Sequence, residues 1–594
     1  MTLPRNAALR LFAGAALLAL AACQHDGAGG TGFSFSGLTA PEPGDPVRGE
    51  KHMVAVGHPL AARTAREILR KGGTAIDATI AAEMVLTLVE PQSSGIGGGA
   101  FLMHFAAKTG AIDSYDGRET APKSATPYMF LDGTGKPLKW ADASVGGLGV
   151  GVPGLLRMLE LAHKEHGRLP WRDLFQPAIK LARDGFAISE RLARQIASAD
   201  RLAEGPVAAI YFFENDGSGK KAGTILKNLD LADTLERVAD NGADAFYKGD
   251  IAKAITAAVS RAPIRPAKMT EADIEAYKAK KRPPVCLPYR VWLICGMGPP
   301  SSGGLTTLQI LGILRAFDLN KFDIESDGEA VQALHLLGEA SRLAYADRNV
   351  YIGDPDFVPV PSAGLLDPDY LTLRSGEIDP KKALGKRQPG MPGPGATLRP
   401  AVPGGTDSLK GLSTTHLSII DADGNAVSMT ASIERTFGSR LMVRGFLLNN
   451  ELTDFNFKPN AGGGPVANRA EAGKRPRSSM SPTLVFDGGG RVVMAIGSPG
   501  GSRIIGYVAK TLIAALDWKM NVQKAIDVPN VVNRNGPLEI EKGSRFEALI
   551  PALKKMGHEI RPLTYKSGLN GVMVTEDGLE GGSDPRREGV ALGD

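Results

Sequence analysis

One junction constrains this chain more than any other. From Gly390 to Gly411 the sequence is rich in glycine and proline and carries no apolar period. At Thr414 it turns abruptly into the pattern of a strand, Thr414-Thr415-His416-Leu417-Ser418-Ile419-Ile420. Asp421-Ala422-Asp423-Gly424-Asn425 has the composition of a hairpin turn, and Ala426–Ser432 reads as the return strand. A strand that opens on two threonines directly after a loose leader makes physical sense if the chain is cut before Thr414. The freed residue then carries a nucleophilic hydroxyl and, on the same residue, an α-amine to act as its base. That amine has a reference pKa of about 7.7–8.0, so an appreciable fraction is free base at neutral pH. Thr415 and Ser432 offer hydroxyls on adjacent strands to orient the Thr414 oxygen. The competing reading is two polar residues at the start of an ordinary strand, and the motif by itself does not choose between them.

The length of 594 residues allows about three or four domains. No break in composition marks a second domain, however, and the one strong seam, 376–411, reads as a processing seam. A net charge of +5 with no concentrated basic face argues against a nucleic-acid partner. Residues 1–23 read as a secretory signal: Arg5 and Arg10 precede the apolar run Leu11 to Leu20, which ends Leu20-Ala21-Ala22-Cys23. The cysteine at that point resembles a bacterial lipobox, so Cys23 is expected to be lipidated, the competing reading being a plain signal peptide or short anchor. Residues 24–48 then form a flexible tether, and a cut before Thr414 would divide the rest into 49–413 and 414–594. The expectation is an exported, periplasmic, membrane-anchored lipoprotein. Cys286 and Cys295 lie in a strand-like stretch where a hairpin could pair them. An exported protein permits a disulfide, and two buried free thiols fit equally well.

Helical periodicity covers Pro59 to Lys71 and about Ala75–Val89, the second apolar on nearly all sides, with Thr74 as its N-cap and Asp77 three residues on. The glycine run Gly95 to Gly99 is not a phosphate loop, since it lacks Gly-Lys-Ser/Thr and precedes a strand. It reads as backbone packed closely against a neighbour. Further helices are expected at roughly 153–165, 172–184, 230–240, 249–260, 304–316, 329–346, 504–516 and 546–556, with a hairpin over 483–487 and 491–496. Hairpins in the second half with helices on both sides suggest layers of helix, sheet, sheet, helix.

No Gly-x-Ser-x-Gly elbow and no convincing His/Asp pair supports a serine triad. Gly500-Gly501, at the start of an apolar helix, presents backbone N–H groups at the positive end of a helix dipole, a place for an oxyanion. Arg118 with Ser478 and Ser479 suits a carboxylate. Glu434, Glu451 and Asp454 suit an ammonium. Each charged residue taken alone reads as well as a surface ion pair.

Together these elements resemble the γ-glutamyltranspeptidases of the N-terminal nucleophile hydrolase superfamily, over nearly the whole mature chain. The resemblance rests on Thr414-Thr415-His416, on Leu447-Leu448-Asn449-Asn450 through Asp454-Phe455, on Lys474 to Thr483 and on Gly497 to Arg503. Pro300 to Gly304, Tyr345-Ala346-Asp347-Arg348 and Gly353 to Phe357 add to it. It implies an α+β fold, a four-layer αββα sandwich, and autocleavage between Ser413 and Thr414 into two intertwined subunits. It implies attack by Thr414 on a γ-glutamyl amide, glutathione among them, with water, an amino acid or a peptide as acceptor. By position, Arg118, Ser478 and Ser479 match the family's α-carboxylate ligands, Asp454 with Glu451 the ammonium ligands, and Gly500 and Gly501 the oxyanion hole. Ser432 stands where many members have Thr, and Glu434 where well-known members have Asn. Three carboxylates near one ammonium should raise one another's pKa. Loop 459–473 looks short for a lid, which implies an open pocket. Related acylases (glutaryl-cephalosporin or poly-γ-glutamate type) and an inactive binding lipoprotein are the alternatives. No metal or organic cofactor is implied.

Overall fold

The computed structural model describes residues 44–393 and 413–594. The leader with Cys23, most of the expected tether and residues 394–412 lie outside them. Two seven-stranded antiparallel sheets form the centre. The first runs Val590–Gly593, Met53–Val56, Thr415–Ile420, Ala426–Ser432, Gly99–Ala106, Ala111–Gly117 and Lys280–Arg282. The second runs Val47–Gly49, Gly578–Ser583, Asn570–Thr575, Val492–Gly497, Thr483–Phe486, Trp292–Gly296 and Val285–Tyr289.

Strand alternation sorts the side chains into two cores. On Gly99–Ala106, Ala100 and Leu102 join a core with the helices Ala75–Val89, Leu155–His166 and Trp171–Asp184. Phe101, Met103 and Phe105 join a core shared with Leu484, Met494 and Val572 of the second sheet. That core continues to the helices Gly303–Leu314, Asp327–Tyr351 and Ile504–Leu516. The layers are therefore helix, sheet, sheet, helix, the αββα sandwich. The helix Ala75–Val89 is buried on all sides, as its apolar sequence requires, and starts on a capping box in which Thr74 and Asp77 exchange backbone hydrogen bonds.

The glycine run does bring backbones together. A Cβ at Gly97 would lie 2.1 Å from the Leu447 carbonyl oxygen, and one at Gly98 2.1 Å from that of Ser432. This pins the end of strand Ala426–Ser432 beside Thr414.

Three expectations change. The tether expected through residue 48 is already sheet at Val47–Gly49, where Val47 pairs with Gly581. The leader expected over 376–411 is held in its first part. Gly390 N–H donates to Asp347 Oδ1 (2.8 Å), Tyr351 Oη–H donates to the Gly390 carbonyl (2.5 Å), and Arg387 and Asn535 exchange two bonds of 2.8 Å. Polar side chains do this holding, so no apolar period betrays it. The third change settles the cysteines: Cys286 and Cys295 are register partners and form a disulfide. Among the described residues no helix is long and apolar enough to cross a membrane.

Candidate active site

Thr414 stands directly before the strand Thr415–Ile420, which lies between Met53–Val56 and Ala426–Ser432 in the first sheet. Its N–H donates to the Ser93 carbonyl (3.1 Å), and its own carbonyl accepts from Arg587 Nη1 (2.8 Å). Its Oγ1 lies 3.0 Å from Ser432 Oγ, which in turn accepts from the Glu434 N–H (2.8 Å). Ser413 is anchored too: its hydroxyl donates to the Gln92 carbonyl (2.5 Å) beside Ser93 Oγ (3.0 Å). Between these clamps Thr414 has φ +102°. A β-branched residue there is strained, by about 1–3 kcal/mol. The strain sits at the peptide bond singled out for cleavage.

Thr414 and Ser432 open into a cavity of about 560 Å³, lined also by Glu434, Glu451, Asp454, Ser478, Ser479 and Gly501. Eight of the residues singled out from sequence thus meet at one wall. Arg118 and Gly500 do not line it. Arg118 is wholly buried behind the acids, pairing with Glu451, with Asp454 (2.6 Å) and with the carbonyls of Pro476 (3.1 Å) and Arg477 (3.2 Å). Gly500 has φ +137°, and a Cβ there would meet the Tyr507 ring at 2.6 Å; it sets the turn that presents Gly501 at the start of the final helical layer.

The acids do perturb one another. Burial, then Asp454 and Glu451, pushes the Glu434 carboxyl well above its ordinary value. Burial lifts Glu451 to about 7, with Arg118 pulling it down and Asp454 pushing it up. Glu434 is held by Asn450 Nδ2 at a backbone φ of +73°. His416, next to the threonines, is buried between Thr430 Oγ1 (2.8 Å) and Ser418 Oγ (3.1 Å), and burial alone drops it to about 3. It is neutral and does not line the cavity into which Thr414 opens.

Sequence reasoning missed two cations. Arg348 and Arg477 line the cavity, are buried, and have no carboxylate within ion-pair distance among the described residues. Arg348 donates to Ser479 Oγ (2.6 Å) and Ser302 Oγ (2.8 Å); Arg477 Nη1 donates to the carbonyls of Arg348 and Ile352. Burial lowers both pKa values, and at Arg477, which falls well below its ordinary value, the neighbouring Arg348 adds to it. Asp454 acts on both from beyond ion-pair distance, and buried cations without a direct partner favour an anion beside them. The motif Tyr345-Ala346-Asp347-Arg348 carried a signal without a role, and Arg477 directly precedes the two serines. Arg587 had none, being 173 positions from Thr414. Loop 459–473 folds as a small hairpin, Asn460–Ala461 with Gly464–Pro465, and none of its residues lines the cavity. Its Asn468 instead braces the site, bonding the Asp454 carbonyl (2.7 Å) and the Arg477 N–H (2.8 Å).

A hydroxyl nucleophile beside acids, buried cations and a helix start is suited to acyl transfer from a zwitterionic head group. A family model described as gamma-glutamyltranspeptidase matches residues 61–594. The glutathione hydrolase proenzyme of Bacillus subtilis (strain 168) is 37% identical over 554 residues, covering 92% of each chain. That of Escherichia coli (strain K12) is 37% identical over 552 residues, covering 91% of each. Among solved structures, a cephalosporin acylase from Bacillus halodurans matches with a TM-score of 0.80 at 25% identity, covering 95% of this chain and 99% of its own. The chain belongs to the gamma-glutamyltranspeptidase family.

Proposed function

We propose that this chain is an autoprocessing γ-glutamyltransferase and glutathione hydrolase whose nucleophile is Thr414. The observation that carries this reading is Thr414 Oγ1, 3.0 Å from Ser432 Oγ, facing a cavity whose acids and buried arginines stand side by side. In the first step Thr414 Oγ1 attacks the Ser413 carbonyl carbon. The C–N bond to Thr414 breaks, the hydroxyl proton passes to the nitrogen, and an ester remains. Water hydrolyses it to the Ser413 carboxylate and a free Thr414. Cleavage abolishes the strained φ, which favours the reaction.

The freed α-amine then takes the hydroxyl proton as Oγ1 attacks the γ-carbonyl of the donor, and returns it to the leaving amine. Ser432 orients the nucleophile, and the amide of Gly501, presented by the turn at Gly500, receives the oxyanion. Asp454, Glu451 and Glu434 hold the α-ammonium. Ser478 and Ser479 hold the α-carboxylate, with Arg348 behind Ser479 as its nearest charge and Arg118 fixing the two acids. Water, or the amine of an amino acid or peptide, resolves the ester. The absence of loop 459–473 from the cavity wall supports a pocket open to bulky leaving groups. The large subunit ends at Ser413 and takes in the strand Val47–Gly49, the small one is 414–594, and the leader ending at Cys23 supports export to the periplasm and a lipid anchor.

The test is to express the mature chain and Thr414→Ala. The parent should yield a small fragment beginning at Thr414 and hydrolyse a γ-glutamyl anilide, faster with a dipeptide acceptor. The variant should remain one chain without activity. A variant that still splits after Ser413, or keeps full activity, overturns the reading. The similarity to an acylase favours one second reading, a diacid donor such as a glutaryl amide. Three carboxylates at the head-group end oppose it, because a glutaryl group brings no ammonium to meet them. A glutaryl anilide should accordingly be the poorer substrate.

A further inference from the structure

One cluster of ionisable side chains stands apart from the cavity and takes no part in the reaction. His104 lies on the face of Gly99–Ala106 turned to the outer helices, with Asp113 of Ala111–Gly117 as its cross-strand partner. The helix Leu155–His166 packs on both strands and ends at this point on His166. One ring nitrogen from each histidine and one carboxylate oxygen of Asp113 lie within 4.8 Å of one another. His166 Nε2 is 3.1 Å from Asp113 Oδ2 and 2.8 Å from the Tyr115 hydroxyl. His104 is only 3% exposed, and its Nδ1 is buried with no hydrogen-bond partner. A buried polar atom left unpaired costs about 1–3 kcal/mol, so it needs a reason.

We propose that His104, Asp113 and His166 form a binding site for a divalent transition metal of the zinc type. Two imidazoles and one carboxylate are the donor set preferred by Zn²⁺, Ni²⁺ and Cu²⁺, whereas Mg²⁺ and Ca²⁺ prefer oxygen alone. Zinc bonds of about 2.0–2.1 Å put neighbouring tetrahedral ligands roughly 3.3 Å apart. The Asp113–His166 pair already has that spacing, whereas the His104 and His166 rings lie with centroids 3.9 Å apart, so coordination requires His104 to turn its ring edge toward the ion. The C-terminus of the helix adds its negative dipole end. Asp113 and His166 are 16% and 19% exposed, which gives an ion a way in. Glu165 Oε2 lies 3.7 Å from His166 Nε2 but already accepts from the Tyr115 hydroxyl and from Lys281 (both 2.7 Å), which leaves the fourth position to water.

Lys281 is the competitor. Its ammonium lies 2.9 Å from Asp113 Oδ1, the carboxylate oxygen turned away from His166, and 2.7 Å from Glu165 Oε2, the same oxygen that faces His166. An ion would share Asp113 with Lys281 or displace it. Its effect would be mechanical: it would fasten the helix Leu155–His166 to a strand whose other edge pairs with Ala426–Ser432.

The test uses the full chain, stripped with a chelator and titrated with CoCl2. The expected result is saturable visible absorption at one ion per chain, and a melting temperature raised by ZnCl2. His104→Ala should weaken binding by about tenfold or more. Lys281→Met, which leaves all three ligands in place and removes the competing charge, should tighten it. Thr414→Ala should bind as the parent does, which separates this site from the active site. Failure of both the parent and Lys281→Met to bind cobalt at one per chain overturns the proposal. So does a folded His104→Ala that binds as tightly as the parent; should that variant not fold, weaker binding in Lys281→Met overturns it as well.

Discussion

At the scale of single residues, the acids of the cavity are where this chain departs most from an ordinary buried site. Glu451 is almost wholly buried and shares Arg118 with Asp454. Its carboxyl titrates at about 7, where an unperturbed glutamate titrates near 4.5. The sign of the consequence follows from proton counting. Between those two values the folded protein holds a proton that the unfolded chain has released. Stability therefore falls as pH rises through that window. The whole shift corresponds to an upper bound of about 3 kcal/mol at 1.36 kcal/mol per unit. Glu451→Gln, which keeps the volume and removes the titration, should flatten the dependence. Denaturant midpoints of uncleaved Thr414→Ala, with and without Glu451→Gln, measured from pH 4.5 to 7.5 would show it. Equal slopes in the two proteins would reject the assignment. The bound ammonium of a substrate is the natural counter-charge for these acids, so the instability of the empty site is the other side of its affinity.

At the scale of elements, the strands around Thr414 are positioned by glycines whose reasons lie in their neighbours. Gly497 ends a strand of the second sheet, and a Cβ there would stand 2.3 Å from His416 Cε1 in the first. His416 cannot retreat, since Thr430 and Ser418 hold both ring nitrogens. Gly497→Ala should therefore cost at least about 1–3 kcal/mol in stability and slow self-cleavage, because it pushes on the residue two places from the nucleophile. Thermal melting and the rate of appearance of the small fragment measure both effects; an unchanged rate and melting point would contradict it. Such contacts also mark how far the sequence could be read. Helices written as long apolar runs between turn signals, such as Ala75–Val89 and Ile504–Leu516, were legible to within a residue or two, and so was the hairpin around Asp421 to Asn425. The candidate nucleophile, its hydroxyl partner and the acids were legible as motifs. The anchored stretch 376–393 was not, because side-chain hydrogen bonds rather than apolar spacing hold it. Nor was the placement of Arg118 behind the acids, since spacing along a chain says nothing about which side of a carboxylate a guanidinium takes. Arg587 and the His104 cluster depend on residues brought together only by the sheet.

At the scale of the molecule, the seam before Thr414 divides a fold that is not divided in space. In the first sheet, Val590–Gly593, Thr415–Ile420 and Ala426–Ser432 come from after the seam, and Met53–Val56 and Gly99–Ala106 from before it. Met53–Val56 is inserted between two strands of the later segment. The second sheet repeats the pattern: Val47–Gly49 pairs with Gly578–Ser583, and Trp292–Gly296 pairs with Thr483–Phe486. A cut at Ser413–Thr414 therefore severs one covalent bond and no hydrogen-bonded ladder. Separating the pieces would break five strand pairings across the two sheets and expose both cores, which is a global unfolding event rather than a dissociation. The cleaved protein should accordingly run as one species of the full mass in gel filtration without denaturant, with both fragments in equal amounts. It should also melt in a single transition close to that of Thr414→Ala. Fragments separated in denaturant should not regain activity singly, since 414–594 alone would carry the nucleophile on strands with unpaired edges. Release of the small fragment in native buffer, or two well-separated melting transitions, would show that the halves fold as independent units and that the interleaving of the sheets does not hold them together.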